Sequence, residues 1–204
     1  MKVLNVEEAV QQLQMEKIIA YPTETFYAVG GLALSPKACK NVFTAKQREG
    51  ANPLPVIIGP PEQLPLLTRN VSNAELDLII KFWPGPLSVL FKAGPLLPAE
   101  LLCNSPEVAI RQTPHNGAAE LCRLAGPLSA SSANLSGEPP ITDPYNLADE
   151  LKKNIAGVAD LHPMPLGGKP STLVRVLEHQ MLQVLRFGAI TKEDLEKEGW
   201  EVVG

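Results

Sequence analysis

The sequence predicts an α/β fold, laid out as a single domain over residues 1–204. Three observations carry that expectation. Helical spacing alternates along the chain with short apolar runs rich in β-branched residues. No linker, internal repeat or low-complexity stretch divides it, and one mixed domain is the economical arrangement. A chain of 204 residues with 45% apolar content buries about 70% of its unfolded surface on folding, so it needs no disulfide or metal staple.

In order, Val6–Glu16 reads as an amphipathic helix with Val6, Ala9, Val10, Leu13 and Met15 broadly on one side. Lys17–Tyr21 is a short apolar run stopped by Pro22, the form of a buried strand ending in a loop. Ser35 and Pro36 are an N-cap and a first-position proline for a helix running to about Lys46. Leu54–Ile58 reads as a strand closed by Gly59-Pro60-Pro61. Ser72 and Glu75 form a capping box for a helix through Phe82, broken by Trp83-Pro84-Gly85-Pro86. Leu87–Phe91, Val108–Arg111, Pro127–Ser131, Ala156–Leu161, Thr172–Val176 and Leu182–Arg186 are strand candidates. Gly117–Leu124, Tyr145–Asn154 and Thr191–Glu198 are helix candidates, the last with Thr191 and Asp194 as a capping box.

Composition removes several function classes. Net charge is -4 and the isoelectric point is near 5.5, which excludes a uniformly basic nucleic-acid coat while leaving room for a local basic cleft. The 20 prolines are twice the usual ~5% and imply many fixed turns. Cys39, Cys103 and Cys122 are odd in number and widely spaced, neither a disulfide framework nor a zinc knuckle, and read as core residues of a reduced, cytoplasmic protein. Acids at Glu7 and Glu8 and the lack of an apolar stretch argue against a signal peptide. No run approaches the ~18 apolar residues of a membrane span.

The chain has no P-loop, dinucleotide or nucleophile-elbow motif. His115, His162 and His179 are scattered, without metal-ligand spacing, and read as structural; no protein metal site is expected. The remaining chemistry is in cations and hydroxyls at strand ends. Tyr21-Pro22-Thr23-Glu24-Thr25 with Tyr27 and Gly30-Gly31 is a hydroxyl-rich loop after a buried strand, either a ligand loop of an open sheet or an ordinary threonine-held turn. Lys46 and Arg48, followed by Asn52-Pro53-Leu54, either meet the negative end of a helix dipole or reach toward a polyphosphate, Arg48 as a bidentate fork and Lys46 as a point charge. Ser129-Ala130-Ser131-Ser132-Ala133-Asn134-Leu135-Ser136-Gly137 combines small residues, which admit a ligand close to the backbone, with hydroxyl and amide groups. Arg111 and Arg186 end strands, where each needs an anion or solvent.

Taken in order, P-T-E-T-x-Y, K-x-R with N-P-L, V-A-I-R, S-A-N-L-S-G, S-T-L-V and L-R-x-G resemble the YrdC-like threonylcarbamoyl-AMP synthases, from about Met15 to Ile190. The resemblance implies a twisted mixed β-sheet flanked by helices, with a large concave cleft lined by positive charge. It implies an enzyme, a nucleotidyltransferase joining L-threonine, bicarbonate or CO2, and ATP into threonylcarbamoyl-adenylate with release of pyrophosphate. By the family pattern Lys46 and Arg48 are catalytic and bind the triphosphate. Asn52, Ser132, Asn134 and Arg186 complete the ATP site, and Thr23, Arg111 and Thr172 hold threonine, Arg111 on its carboxylate. Mg2+ is expected to arrive with ATP rather than on a protein ligand set. Downstream proteins would pass the threonylcarbamoyl group to tRNA, and tRNA or double-stranded RNA is a further candidate partner in the cleft. Two alternatives stay open at this point: a non-catalytic RNA-binding module of the same fold, and a relative adenylating a different carbamate.

Overall fold

The computed structural model of the chain describes residues 1–47, 52–135, 137–178 and 180–203. Helices begin where the sequence supplies caps. The Asn5 side chain accepts from Glu8 N, and Glu8 answers with its carboxylate, opening α1 (Val6–Gln14). Ser35 accepts from Ala38 N ahead of α2 (Pro36–Ala45). The Ser72 and Glu75 box opens α3 (Asn73–Phe82), and His115 caps α5 (Asn116–Ala125). The Thr191 and Asp194 box opens α7 (Lys192–Lys197). Each cap satisfies an amide that has no partner inside the helix, worth about 1 kcal/mol. Two short helices, α4 (Ala99–Leu102) and α6 (Asp149–Asn154), complete the set among the described residues.

The strands form two mixed sheets where the sequence suggested one. The smaller contains, in spatial order, β1 (Val3–Leu4), β9 (Val158–Ala159), β2 (Ile19–Pro22), β3 (Tyr27–Gly30) and β8 (Ser131–Ser132). The larger contains β12 (Glu201–Val203), β11 (Met181–Arg186), β10 (Thr172–Val176), β5 (Leu87–Lys92), β6 (Glu107–Gln112), β4 (Val56–Ile58) and β7 (Leu128–Ser129). The segment expected as one strand over Pro127–Ser131 is the joint between them. Leu128 and Ser129 pair with β4, the Ala130 amide donates to Pro55 O at 2.8 Å, and Ser131 and Ser132 then pair with β3. Gly30 lies against this joint, and a Cβ there would run into the carbonyl oxygen of Ser129. Only glycine allows that approach.

Two other expectations change. The stretch Tyr21–Gly31, read as a strand and a loop, is a hairpin whose second arm is β3, paired antiparallel to β2 from Ile19 opposite Gly30 to Pro22 opposite Tyr27. Residues 145–154 are not one helix: a single turn, Pro144–Asn146, is separated from α6 by extended backbone at Leu147 and Ala148, where Leu147 turns into the core.

Burial follows strand alternation. On the larger sheet Leu87, Val89, Phe91, Val108, Ile110 and Val174 face the main core, together with Leu78, Leu195 and Trp200. A second core beneath α1 and α5 takes Ile19, Tyr21, Ile57 and Leu128. The alternate positions of β5, β6 and β10 are left on the opposite face, and they form the floor of a cavity.

Candidate functional site

That cavity has a volume of about 590 Å3, within the ~300–1,000 Å3 of small-molecule sites. Its floor is the period-two face of the larger sheet: Ser88 and Leu90, then Glu107, Ala109 and Arg111, then Ser171, Leu173 and Arg175. The hairpin side contributes Thr23, Thr25 and Tyr27, and the joint contributes Ser131 and Ser132. Among the described lining residues are three arginines, Arg111, Arg175 and Arg186, and one carboxylate, Glu107.

Arg111 is buried at 7% exposure and is ion-paired through Nη1 with Glu24 Oε1. The other Glu24 oxygen accepts from Thr113 Oγ1 at 3.0 Å, and Thr113 Oγ1 in turn accepts from His115 N at 3.2 Å. Glu24 therefore holds the guanidinium from behind while Arg111 lines the cavity. Burial pulls Arg111 down to about 10 from its ordinary 12.5, with the Arg186 charge acting in the same direction. The group stays cationic at neutral pH. Arg186, on the rim, donates through Nη2 to Ser171 O at 2.8 Å and Ser171 Oγ at 3.1 Å, and burial of its head lowers its pKa. The Arg186 charge is felt at Arg111, and a bound anion in this part of the cavity would relieve that repulsion.

Of the residues singled out in the sequence, Thr23, Asn52, Arg111, Ser132 and Arg186 line this one cavity. Thr23 is also the turn residue of the hairpin, its hydroxyl donating to Phe26 O at 2.8 Å. Lys46, 3% exposed, lies beneath the joint loop, its ammonium donating to the carbonyls of Ser132 and Asn134, the latter at 2.7 Å. Asn134 donates to Leu135 O and Glu138 O, and its Oδ1 is buried with no hydrogen bond among the described residues. Thr172 is not brought to the cavity. Alternation turns it to the opposite face from Ser171 and Leu173, where its hydroxyl donates to Ile190 O at 2.6 Å and accepts from Gly188 N and Ile190 N. Arg48 lies outside the described residues, as do Ser136 and His179. His115 is structural, as expected: Nδ1 caps α5, and Nε2 meets Pro163 O at 2.7 Å. Cys39 and Cys122 are core residues, but Cys103 is not, sitting half-buried at the left-handed end of α4.

Sequence reasoning passed over Ser88, Glu107, Ser171 and Arg175 as site residues. The alternation in each strand was the available signal. Val108 and Ile110 point inward, so Glu107 and Arg111 share the other face, and the same rule sets Ser171 and Arg175 against Thr172 and Val174. Among the described residues no helix is long and apolar enough to cross a membrane.

A family profile for Sua5, YciO and YrdC proteins, described as telomere recombination, matches residues 11–188. A threonylcarbamoyl-AMP synthase of Pyrococcus abyssi is 31% identical over 96% of this chain and 60% of its own length. A threonylcarbamoyl-AMP synthase of Bacillus subtilis is 36% identical over 94% of this chain and 55% of its own length. The chain thus spans less than two thirds of either relative. The crystal structure of P. abyssi Sua5 complexed with L-threonine superposes with a TM-score of 0.91 at 29% identity, covering 100% of this chain and 63% of that one. The profile match over residues 11–188, with these relatives, carries the conclusion: this chain belongs to the Sua5/YciO/YrdC family.

Proposed function

We propose that the chain is an L-threonylcarbamoyladenylate synthase, using L-threonine, bicarbonate or CO2, and MgATP, and releasing pyrophosphate. The observation that carries the reading is Arg111. A guanidinium buried in a cavity wall and oriented by Glu24, in a cavity that Thr23 and Thr25 also line, suits a small amino acid's carboxylate. The P. abyssi structure, crystallised with L-threonine, supports the same use of the fold.

The threonine amine and CO2 give a carbamate, whose oxygen attacks the α-phosphorus of ATP; the Pα–O bond to pyrophosphate breaks, leaving threonylcarbamoyl-AMP. The carbamate is already anionic, so the attack needs no strong protein base. The chain's work is to align three partners and to offset crowded negative charge. Arg111 anchors the carboxylate, Arg186 offers positive charge at the rim, and Lys46 braces the Ser132–Asn134 loop beside the nucleotide. Among the described residues the lining offers hydroxyls and one carboxylate that is already bonded to Arg175, a poor cage for Mg2+. Mg2+ would therefore be brought by ATP rather than held by these residues, and would offset phosphate charge there. In this reading the protein works in the cytoplasm and supplies a tRNA-modifying transfer step.

Pyrophosphate release tests it. The expected result is release from ATP only when threonine and bicarbonate are both supplied. ATP turnover indifferent to either, or salt-sensitive RNA binding with no turnover, would overturn it.

A further inference from the structure

The cavity floor has two polar ends with an apolar strip between them. Glu107 and Arg111 share one face of β6 and lie about 13 Å apart along the strand. Arg111 belongs to the end already described. At the other end Glu107 Oε1 accepts from Arg175 Nε at 3.1 Å and Oε2 from Arg175 Nη2 at 2.6 Å, while Arg175 Nη1 donates to Gln183 Oε1 at 2.8 Å. Strand register explains the meeting. Leu90 on β5 is paired with Ala109 on β6 and with Arg175 on β10, so Arg175 reaches across β5 to Glu107.

Both side chains line the cavity, and they are 36% and 26% exposed. Partly exposed pairs contribute little to stability, and this one seals no core. Between it and Arg111 on the sheet face lie Ala109 and its strand partner Leu90, and Pro53 and Pro55 line the same cavity, apolar surfaces that suit the face of a planar ring. A carboxylate only accepts hydrogen bonds and a guanidinium only donates them, so the pair presents an acceptor beside a donor. Each Glu107 oxygen keeps a second lone-pair direction free of Arg175. A 6-aminopurine carries the converse edge, an exocyclic N–H donor beside a ring-nitrogen acceptor.

We propose that Glu107 and Arg175 read the nucleobase: adenine lies over Leu90 and Ala109, its 6-amino group donating to Glu107 and its N1 accepting from Arg175. The inference rests on the adenylate reading above and adds which end the nucleoside occupies and what selects it. Threonine then sits at the Arg111 end, and the α-phosphate between the two. Hypoxanthine carries an oxygen at the same position, which would face the Glu107 carboxylate with no proton between them.

The test compares ATP with ITP as substrates, and AMP with IMP in equilibrium binding, for the wild type, Glu107→Gln and Arg175→Ala. Wild type is expected to favour the amino base by about tenfold or more, the range of one charged hydrogen bond. In Glu107→Gln, whose amide can donate to the hypoxanthine oxygen, the preference should shrink by about tenfold, with the threonine KM held within about twofold. Arg175→Ala should weaken binding of both nucleotides and leave the threonine KM alone. An unchanged ATP-to-ITP preference in Glu107→Gln, or a threonine KM that moves with it, overturns the assignment. If the wild type turns over no substrate, the synthase reading fails, while AMP-against-IMP binding still decides whether Glu107 reads the base.

Discussion

Replacing Arg111 tests both the stability and the chemistry of the site. Arg111→Met keeps apolar bulk but leaves Glu24 in the protein interior, where its side chain is 13% exposed. Deleting one member of a buried ion pair costs about 3–5 kcal/mol, because the remaining charge has lost its counter-ion. The Thr113 hydroxyl still donates to Glu24 Oε2, which places the expected loss near the lower end, about 3 kcal/mol. The double variant Arg111→Met with Glu24→Gln removes both charges, and its stability should return to within about 1 kcal/mol of the wild type. Urea unfolding of the wild type, both single variants and the double variant closes the cycle. An Arg111→Met loss under about 1 kcal/mol, or a double variant no more stable than Arg111→Met, would refute the buried-pair account. In kinetics, Arg111→Lys should raise the threonine KM about tenfold or more by losing the fork, with the ATP KM little changed. Equal changes in both would remove Arg111 from the carboxylate.

Three further outcomes are expected. Gly30→Ala pushes a methyl group into the Ser129 carbonyl and should lower stability by about 2–3 kcal/mol, measured by thermal or urea unfolding; a neutral variant would mean the joint between the sheets gives way easily. Thr172→Val removes a hydroxyl that serves Gly188 and Ile190 and should cost about 1–3 kcal/mol, with the threonine KM within about twofold; a selective rise in that KM would return Thr172 to the binding site. Burial raises the Cys39 and Cys122 thiols to about 12 from 9.0, so both stay protonated and unreactive through neutral pH. Native labelling with a thiol reagent at pH 8 should therefore modify Cys103 first, and rapid modification of Cys122 would contradict its burial.

Much of the fold was legible because local chemistry announced it. Ser35 before Pro36, Ser72 with Glu75 and Thr191 with Asp194 marked helix starts that the structure keeps within a residue. Thr172–Val176 was read with the bounds it has. What stayed hidden depends on distant partners. β3 is made of Tyr27, Ala28, Val29 and Gly30, too short and mixed to announce a strand, and it exists because β2 and β8 pair on either side of it. The switch of sheets at Ala130 rests on Pro55 and Gly31, far away in sequence. In the candidate site, Arg111 was visible as a cation ending an apolar strand, but Glu24, which orients it, sits 87 residues earlier. The Glu107 and Arg175 pair needed the register of β6, β5 and β10, which no local pattern supplies.

The most direct measurement is the mass of the product formed from ATP, L-threonine and carbon-13-labelled bicarbonate. One adenylate carrying both the threonine and the labelled carbon is expected, formed together with pyrophosphate. An adenylate without the label, or one formed equally well when serine replaces threonine, would contradict the claim that this cavity builds threonylcarbamoyl-AMP.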